Sequence, residues 1–150
     1  MVEEEDGSLW VTARYGAGSR GPLCHATDRE VSCFGKADGL PIQGADSILP
    51  DGTGGFWMGS DTSLVHWKAG KSEIYEPHAL RSNSGQYGVS GLVRNADGSF
   101  RVGIMAAGRG LGLELFQNGT FKPFSTPNFD DTQITVQALL MDRAKLISFQ

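Results

Sequence analysis

Asp51-Gly52-Thr53-Gly54-Gly55-Phe56-Trp57-Met58-Gly59-Ser60 is the stretch on which the fold turns. It reads as a glycine-bearing turn, then a short strand that ends on another glycine. Two further segments line up with it, Asp6-Gly7-Ser8-Leu9-Trp10-Val11-Thr12 and Asp97-Gly98-Ser99-Phe100-Arg101-Val102-Gly103. The aligned apolar positions Leu9, Phe56 and Phe100 are 47 and 44 residues apart. Self-similarity at a period of this size marks a repeat architecture.

The flanks repeat as well. Apolar segments precede the later copies, Ala45 to Leu49 and Ser90 to Val93, and a further one appears at Val136 to Leu140. A hairpin follows each core. One runs from Leu64-Val65-His66-Trp67 through Ala69-Gly70 to Glu73-Ile74-Tyr75. The other runs from Leu113-Glu114-Leu115-Phe116 through Asn118-Gly119 to Phe121-Lys122-Pro123-Phe124. Asn-Gly between apolar runs signals a type I′ turn, which needs positive φ at both central residues. The hairpin glycines are 49 apart, and the five extra residues fall in Ala106-Ala107-Gly108-Arg109-Gly110. Each unit therefore reads as four short strands, a to d.

Four strands per unit of about 40–50 residues is the period of a β-propeller. A β-sandwich needs no constant period, and no sustained 3.6-residue pattern supports helical repeats. The expected fold is all-β, with about three four-stranded antiparallel blades plus partial ones in an incomplete ring. The blade units are approximately 1–41, 42–86 and 87–132, with 133–150 partial. A chain that starts and stops mid-blade is expected to be a fragment of a longer product, or to complete its ring with another chain.

Bulk composition agrees. Glycine accounts for 21 of 150 residues against only 6 prolines, as an all-β chain with many tight turns requires. Net charge is −4 with no clustered basic stripe, so no nucleic-acid partner is expected. No run of 18 apolar residues exists, and no membrane contact is expected of this segment. The acidic start Met1-Val2-Glu3-Glu4-Glu5-Asp6 is not a signal peptide.

These residues resemble the two-component regulator propeller repeat, whose pattern is an apolar strand, an Asp-Gly turn, Leu-Trp-Ile-Gly-Thr, then Gly-Leu and an aromatic-ended strand. Leu49-Pro50-Asp51-Gly52 through Ser60 and Asp6 to Thr12 match it, and Ala37-Asp38-Gly39-Leu40-Pro41 looks like the family's connection between blades. Arg101 departs by replacing the Trp, and Asp142-Arg143-Ala144-Lys145 departs by lacking the turn glycine. The resemblance covers nearly the whole chain. It implies a periplasmic or otherwise extracytoplasmic sensor region that precedes a transmembrane helix and a histidine kinase or other output domain.

Residues with chemical potential mostly read as structural. Trp10 and Trp57 suit packing between blades, or a stacking platform for a sugar or planar ligand. Asp6, Asp51 and Asp97 cap their own turns, since one carboxylate per turn falls short of a calcium site. His25, His66 and His78 are scattered without metal-ligand spacing. Ser90 lies in Gly88-Val89-Ser90-Gly91 and lacks nucleophile-elbow spacing. Gly108-Arg109-Gly110-Leu111-Gly112 lies between strands, whereas a phosphate loop opens a helix. No catalytic residue, metal or cofactor is expected.

In a four-stranded blade the b–c and d–a connections emerge on one face. The long loops 13–21, 77–88, 106–110 and 125–132 fall there, and recognition favours long loops on a rigid scaffold. They carry the candidate ligand-binding residues Arg14, Tyr15, Arg20, Arg81, Asn83, Gln86, Tyr87 and Arg109, whose arginines suit an anionic group. Arg81 and Arg109 are expected to converge on one such group. Cys24 and Cys33 are expected to face each other across a hairpin whose turn is Asp28-Arg29. That places them as a disulfide in an oxidising compartment, or as two packing thiols elsewhere.

The leading functional expectation is a non-catalytic ligand-sensing or interaction segment of a bacterial two-component-type receptor. Its expected partner is a small molecule or glycan, or neighbouring blades of the same or another chain. The alternatives are part of a propeller enzyme, a lyase or glycan-active hydrolase, or a non-sensing scaffold or decayed gene remnant. An enzyme should converge polar groups on the channel, where the inner strands offer Asp46 and little else.

Overall fold

The computed structural model describes residues 1–14, 21–81, 88–106, 108–124, 127–128, 134–141 and 147–149. Strands β1 (Val2–Glu3), β2 (Leu9–Thr12), β3 (Leu23–Ala26) and β4 (Val31–Phe34) form the first antiparallel sheet. The second sheet is β5 (Ser47–Pro50), β6 (Phe56–Gly59), β7 (Leu64–Lys68) and β8 (Lys71–Tyr75). The third is β9 (Val89–Arg94), β10 (Phe100–Ile104), β11 (Leu113–Gln117) and β12 (Thr120–Pro123). A fourth begins with β13 (Leu139–Met141) paired to β14 (Ile147–Phe149). These are β-propeller blades, the first three each a four-strand meander from inner to outer edge.

The registers superimpose. Leu9, Phe56 and Phe100 pair with Glu3, Pro50 and Arg94 in their respective sheets. The two hairpin turns adopt the expected geometry, with φ of 48° and 78° at Ala69-Gly70 and 50° and 77° at Asn118-Gly119. Positive φ at both central residues matches the twist of the flanking strands.

The blades are joined by a repeated main-chain bond. Ala45, Val89 and Val136 donate their N–H groups to the carbonyls of Ala13, Ser60 and Ile104 of the preceding blade, at 2.9, 2.9 and 3.1 Å. Serine hydroxyls reinforce the second and third joins. Ser47 Oγ donates to the Val89 carbonyl at 3.2 Å, and Ser90 Oγ donates to that of Val136. Ser90 reaches it from a bulge in β9.

Glycine ends β6 because the next blade lies directly against it. A Cβ added at Gly59 would sit 2.2 Å from the Val89 carbonyl oxygen, and one at Gly103 would sit 2.5 Å from Val136 Cγ1. Thr12 holds this position in the first blade, where the joining residue is the smaller Ala45. Residue size is thus traded across the join.

The core lies between blades. One buried cluster joins Leu23 of the first blade to Phe56, Met58, Val65 and Trp67 of the second. Another joins Leu64 of the second to Val89, Phe100, Val102 and Phe116 of the third. Among the described residues, no helix is long and apolar enough to cross a membrane.

Candidate ligand-binding site

The conspicuous aromatic and titratable residues pack the joins. Trp10 stacks on His25 and Trp57 on His66, each at 4.4 Å between ring centroids. The next blade closes over each indole with Phe56 or Phe100, at 4.7 and 4.9 Å. In the third blade Arg101 takes the Trp position, and its guanidinium lies 5.0 Å over Phe124. Cation–π contact there replaces indole stacking. His66 Nε2 lies 3.0 Å from Asp51 Oδ2. Asp51 Oδ1 accepts the N–H groups of Thr53 and Gly55. Burial alone would raise the Asp51 carboxyl, but the bonds from His66, Gly55 and Thr53 together hold it well below the usual carboxylate range. Asp6 and Asp97 cap Ser8 and Ser99 in the same way. Ser90 is occupied by the carbonyls of Gly103 and Val136.

Arg14 follows β2 and reaches the entrance of the second blade, where its Nε lies 3.4 Å from Asp46 Oδ1. Burial raises the Asp46 carboxyl, with the Asp61 charge adding to it and Arg14 opposing. Asp46 Oδ2 is buried without a hydrogen-bond partner. A cavity of about 220 Å³ opens nearby between Pro41–Gly44 and Ser60–Thr62. Tyr15, Arg20, Asn83, Gln86 and Tyr87 lie outside the described residues.

Arg81 ends a short helix, α1 (His78–Arg81), within a connection the sequence presented as a plain loop. Glu114 holds that helix in place. Its carboxylate accepts the N–H groups of Ala79 at 2.8 Å and His78 at 3.3 Å, and the residue is 0% exposed. Burial raises its carboxyl, while those bonds and the His78 and Arg81 charges pull it down. Sequence reasoning passed over Glu114. The signal was a carboxylate in β11 at the position where β7 has the buried Val65.

Alongside α1 a groove of about 740 Å³ runs down the outer rim between the second and third blades. Tyr75, His78 and Arg81 line one side, and Gly119, Phe121 and Pro123 the other. Arg109 is exposed in the loop before β11 and does not line this groove. Cys24 and Cys33 pair across β3 and β4 and are joined as a disulfide with Cα atoms 4.0 Å apart. Among the described residues, no group of three His, Cys, Asp or Glu side chains comes together as metal ligands would.

No protein-family model matches the chain, and no curated protein matches it in sequence. Solved structures do. Two structures of the extracellular domain of BT4673 from B. thetaiotaomicron, described in one case as a hybrid two-component system and in the other as a one-component system, superpose with a TM-score of 0.64. Identity is 16%, over 97% of this chain and 19% of that one. The chain therefore spans about a fifth of the length of the domain it matches. The likeness establishes the propeller fold and agrees with the repeat resemblance drawn from the sequence.

Proposed function

We propose that this chain is a ligand-recognition segment of an extracytoplasmic sensor of the two-component kind, and that it does not turn its ligand over. The observation that carries the reading is the superposition of 97% of the chain on the extracellular domain of such a system. The architecture supports it. Rigid blades are locked by main-chain bonds, while Arg14, Arg81 and Arg109 stand on the connections at one face. Two of the polar groups that suggest chemistry are engaged in packing, His66 by Asp51 and Ser90 by two carbonyls. The Cys24–Cys33 disulfide suits an oxidising compartment.

A thermal-shift screen of small anions and glycans against the chain, with Arg81→Ala and Arg109→Ala, tests recognition at that face. At least one variant should weaken a hit about ten- to a hundredfold, as loss of a charge-assisted contact does. If both bind like wild type while changes at Asp51 or Asn118 abolish binding, the long-loop face is the wrong one. Two free thiols in protein recovered unreduced from its native compartment would contradict the extracytoplasmic placement.

A further inference from the structure

The outer rims of the two blade junctions correspond residue by residue. Register matches Gly70 with Gly119, Ser72 with Phe121 and Trp67 with Phe116. At the first junction this surface is covered by the chain itself. The 3-10 turn Lys36–Asp38 and Gly39 lie across the hairpin. Trp67 Nε1 donates to the Asp38 carbonyl at 2.9 Å and Ser72 Oγ to that of Gly39. A Cβ added at Gly39 would sit 1.8 Å from the Gly70 carbonyl oxygen. At the second junction α1 is held to one side by Glu114, and Gly119 and Phe121 face the open groove.

We propose that this groove is a binding site for a small organic monocarboxylate carrying a planar apolar ring. The site and ligand class rest on the recognition reading for their biological meaning. An extended peptide does not suit the groove, because Phe116 and Phe121 lack the donors that Trp67 and Ser72 present to the covering segment. Phe121, Pro123, Ile74 and Tyr75 supply apolar wall. The Tyr75 hydroxyl already donates to Glu73, and that of Thr120 to the Gln117 carbonyl. Among the described lining residues, Arg81 and His78 are the side-chain donors placed for an anionic head. Glu76, also in the lining, offsets part of the Arg81 charge, so a dianion is disfavoured more than a monoanion. The volume lies within the range of about 300–1,000 Å³ usual for small-molecule sites.

The test is an NMR titration of the 150-residue chain with phenylacetate, and with its uncharged and cationic counterparts phenylacetamide and phenethylamine. Phenylacetate should shift the amide signals of Arg81, Thr120 and Phe121, and bind at least about tenfold more tightly than the other two. Arg81→Gln should remove that preference while leaving phenylacetamide unchanged, and Phe121→Ser should weaken both. Equal binding of phenylacetamide, no response at these amides, or an Arg81→Gln chain that keeps the preference overturns the proposal. No phenylacetate response here together with a ligand bound at the other long loops would overturn it yet leave the recognition reading standing. Binding here by a chain shown to reside in the cytoplasm would do the reverse.

Discussion

The first and second blade junctions share a backbone and differ in how their outer rims are finished. At the first, an indole and a hydroxyl hold the connecting segment flat against the next hairpin. At the second, phenylalanines stand at both donor positions, and a buried carboxylate holds the connection as a short helix. The inner parts carry the same main-chain join, with a residue-size trade between the blades. Chemistry near the axis is constrained by spacing, whereas chemistry at the rim is open to change.

The largest effect expected from breaking this comparison is at the inner join. Gly59→Thr should cost about 3 kcal/mol in urea unfolding, because the new side chain meets both the carbonyl and Cγ1 of Val89. Thr12→Gly in the first blade should cost far less, and Val89→Ala should partly restore the Gly59→Thr chain. An equal cost at the two sites would show that the joins are not built alike.

At the rim, Trp67→Phe should cost about 2 kcal/mol, from the lost bond to the Asp38 carbonyl and lost packing. Phe116→Trp should also destabilise, by about 1–3 kcal/mol, because Phe116 is buried among Trp57, Tyr75, Phe100 and Phe121 and the larger ring overpacks that cluster. A Trp67→Phe chain as stable as wild type would mean that the covering segment is not held by the indole.

Two carboxylates sharpen the contrast through pH. The Asp51 carboxyl is depressed, so its contribution is present above its ordinary value of 3.8 and is lost as pH falls below it. The Glu114 carboxyl is raised, so the folded state binds the proton more tightly, and stability declines as pH rises above its ordinary value of 4.5. Asp51→Asn should flatten the acid side of the stability profile, and Glu114→Gln the side above. If Glu114→Gln leaves the upper limb unchanged, the buried carboxylate is not its source.

The smallest effect separates the hairpins. Ala69 sits at a φ of 48° where the third blade has Asn118. Ala69→Asn should stabilise by about 0.5–1 kcal/mol, since Asn tolerates the left-handed region better. A loss of stability would show that Ala69 is chosen for its contacts.

The sequence carried the strands and turns well, because period-two patterning and Gly-bearing turns are local signals. Strand β6 at Phe56–Gly59 and the Ala69-Gly70 turn follow from neighbouring residues alone. The groove was not legible, because it arises from what is missing when one junction is laid on another. Phe121 is unremarkable in its own strand and matters only because Ser72 occupies the same place one blade earlier. Glu114 was hidden for a related reason, since its partners lie 35 and 36 residues away in the connection that enters the blade. Arg81 stands out by its loop and charge, and the structure sets it in a groove shared with Phe121 and Pro123, whose lining does not include Arg109.

The bonds from Ala45, Val89 and Val136 use only peptide groups. A peptide N–H is the same whatever side chain it carries, so drift in sequence leaves the pitch from blade to blade untouched. Arrays held this way can share a fold with little sequence in common, as a TM-score of 0.64 at 16% identity illustrates. Shape in such a protein outlives spelling, and relatives are better sought by overlaying backbones than by comparing letters.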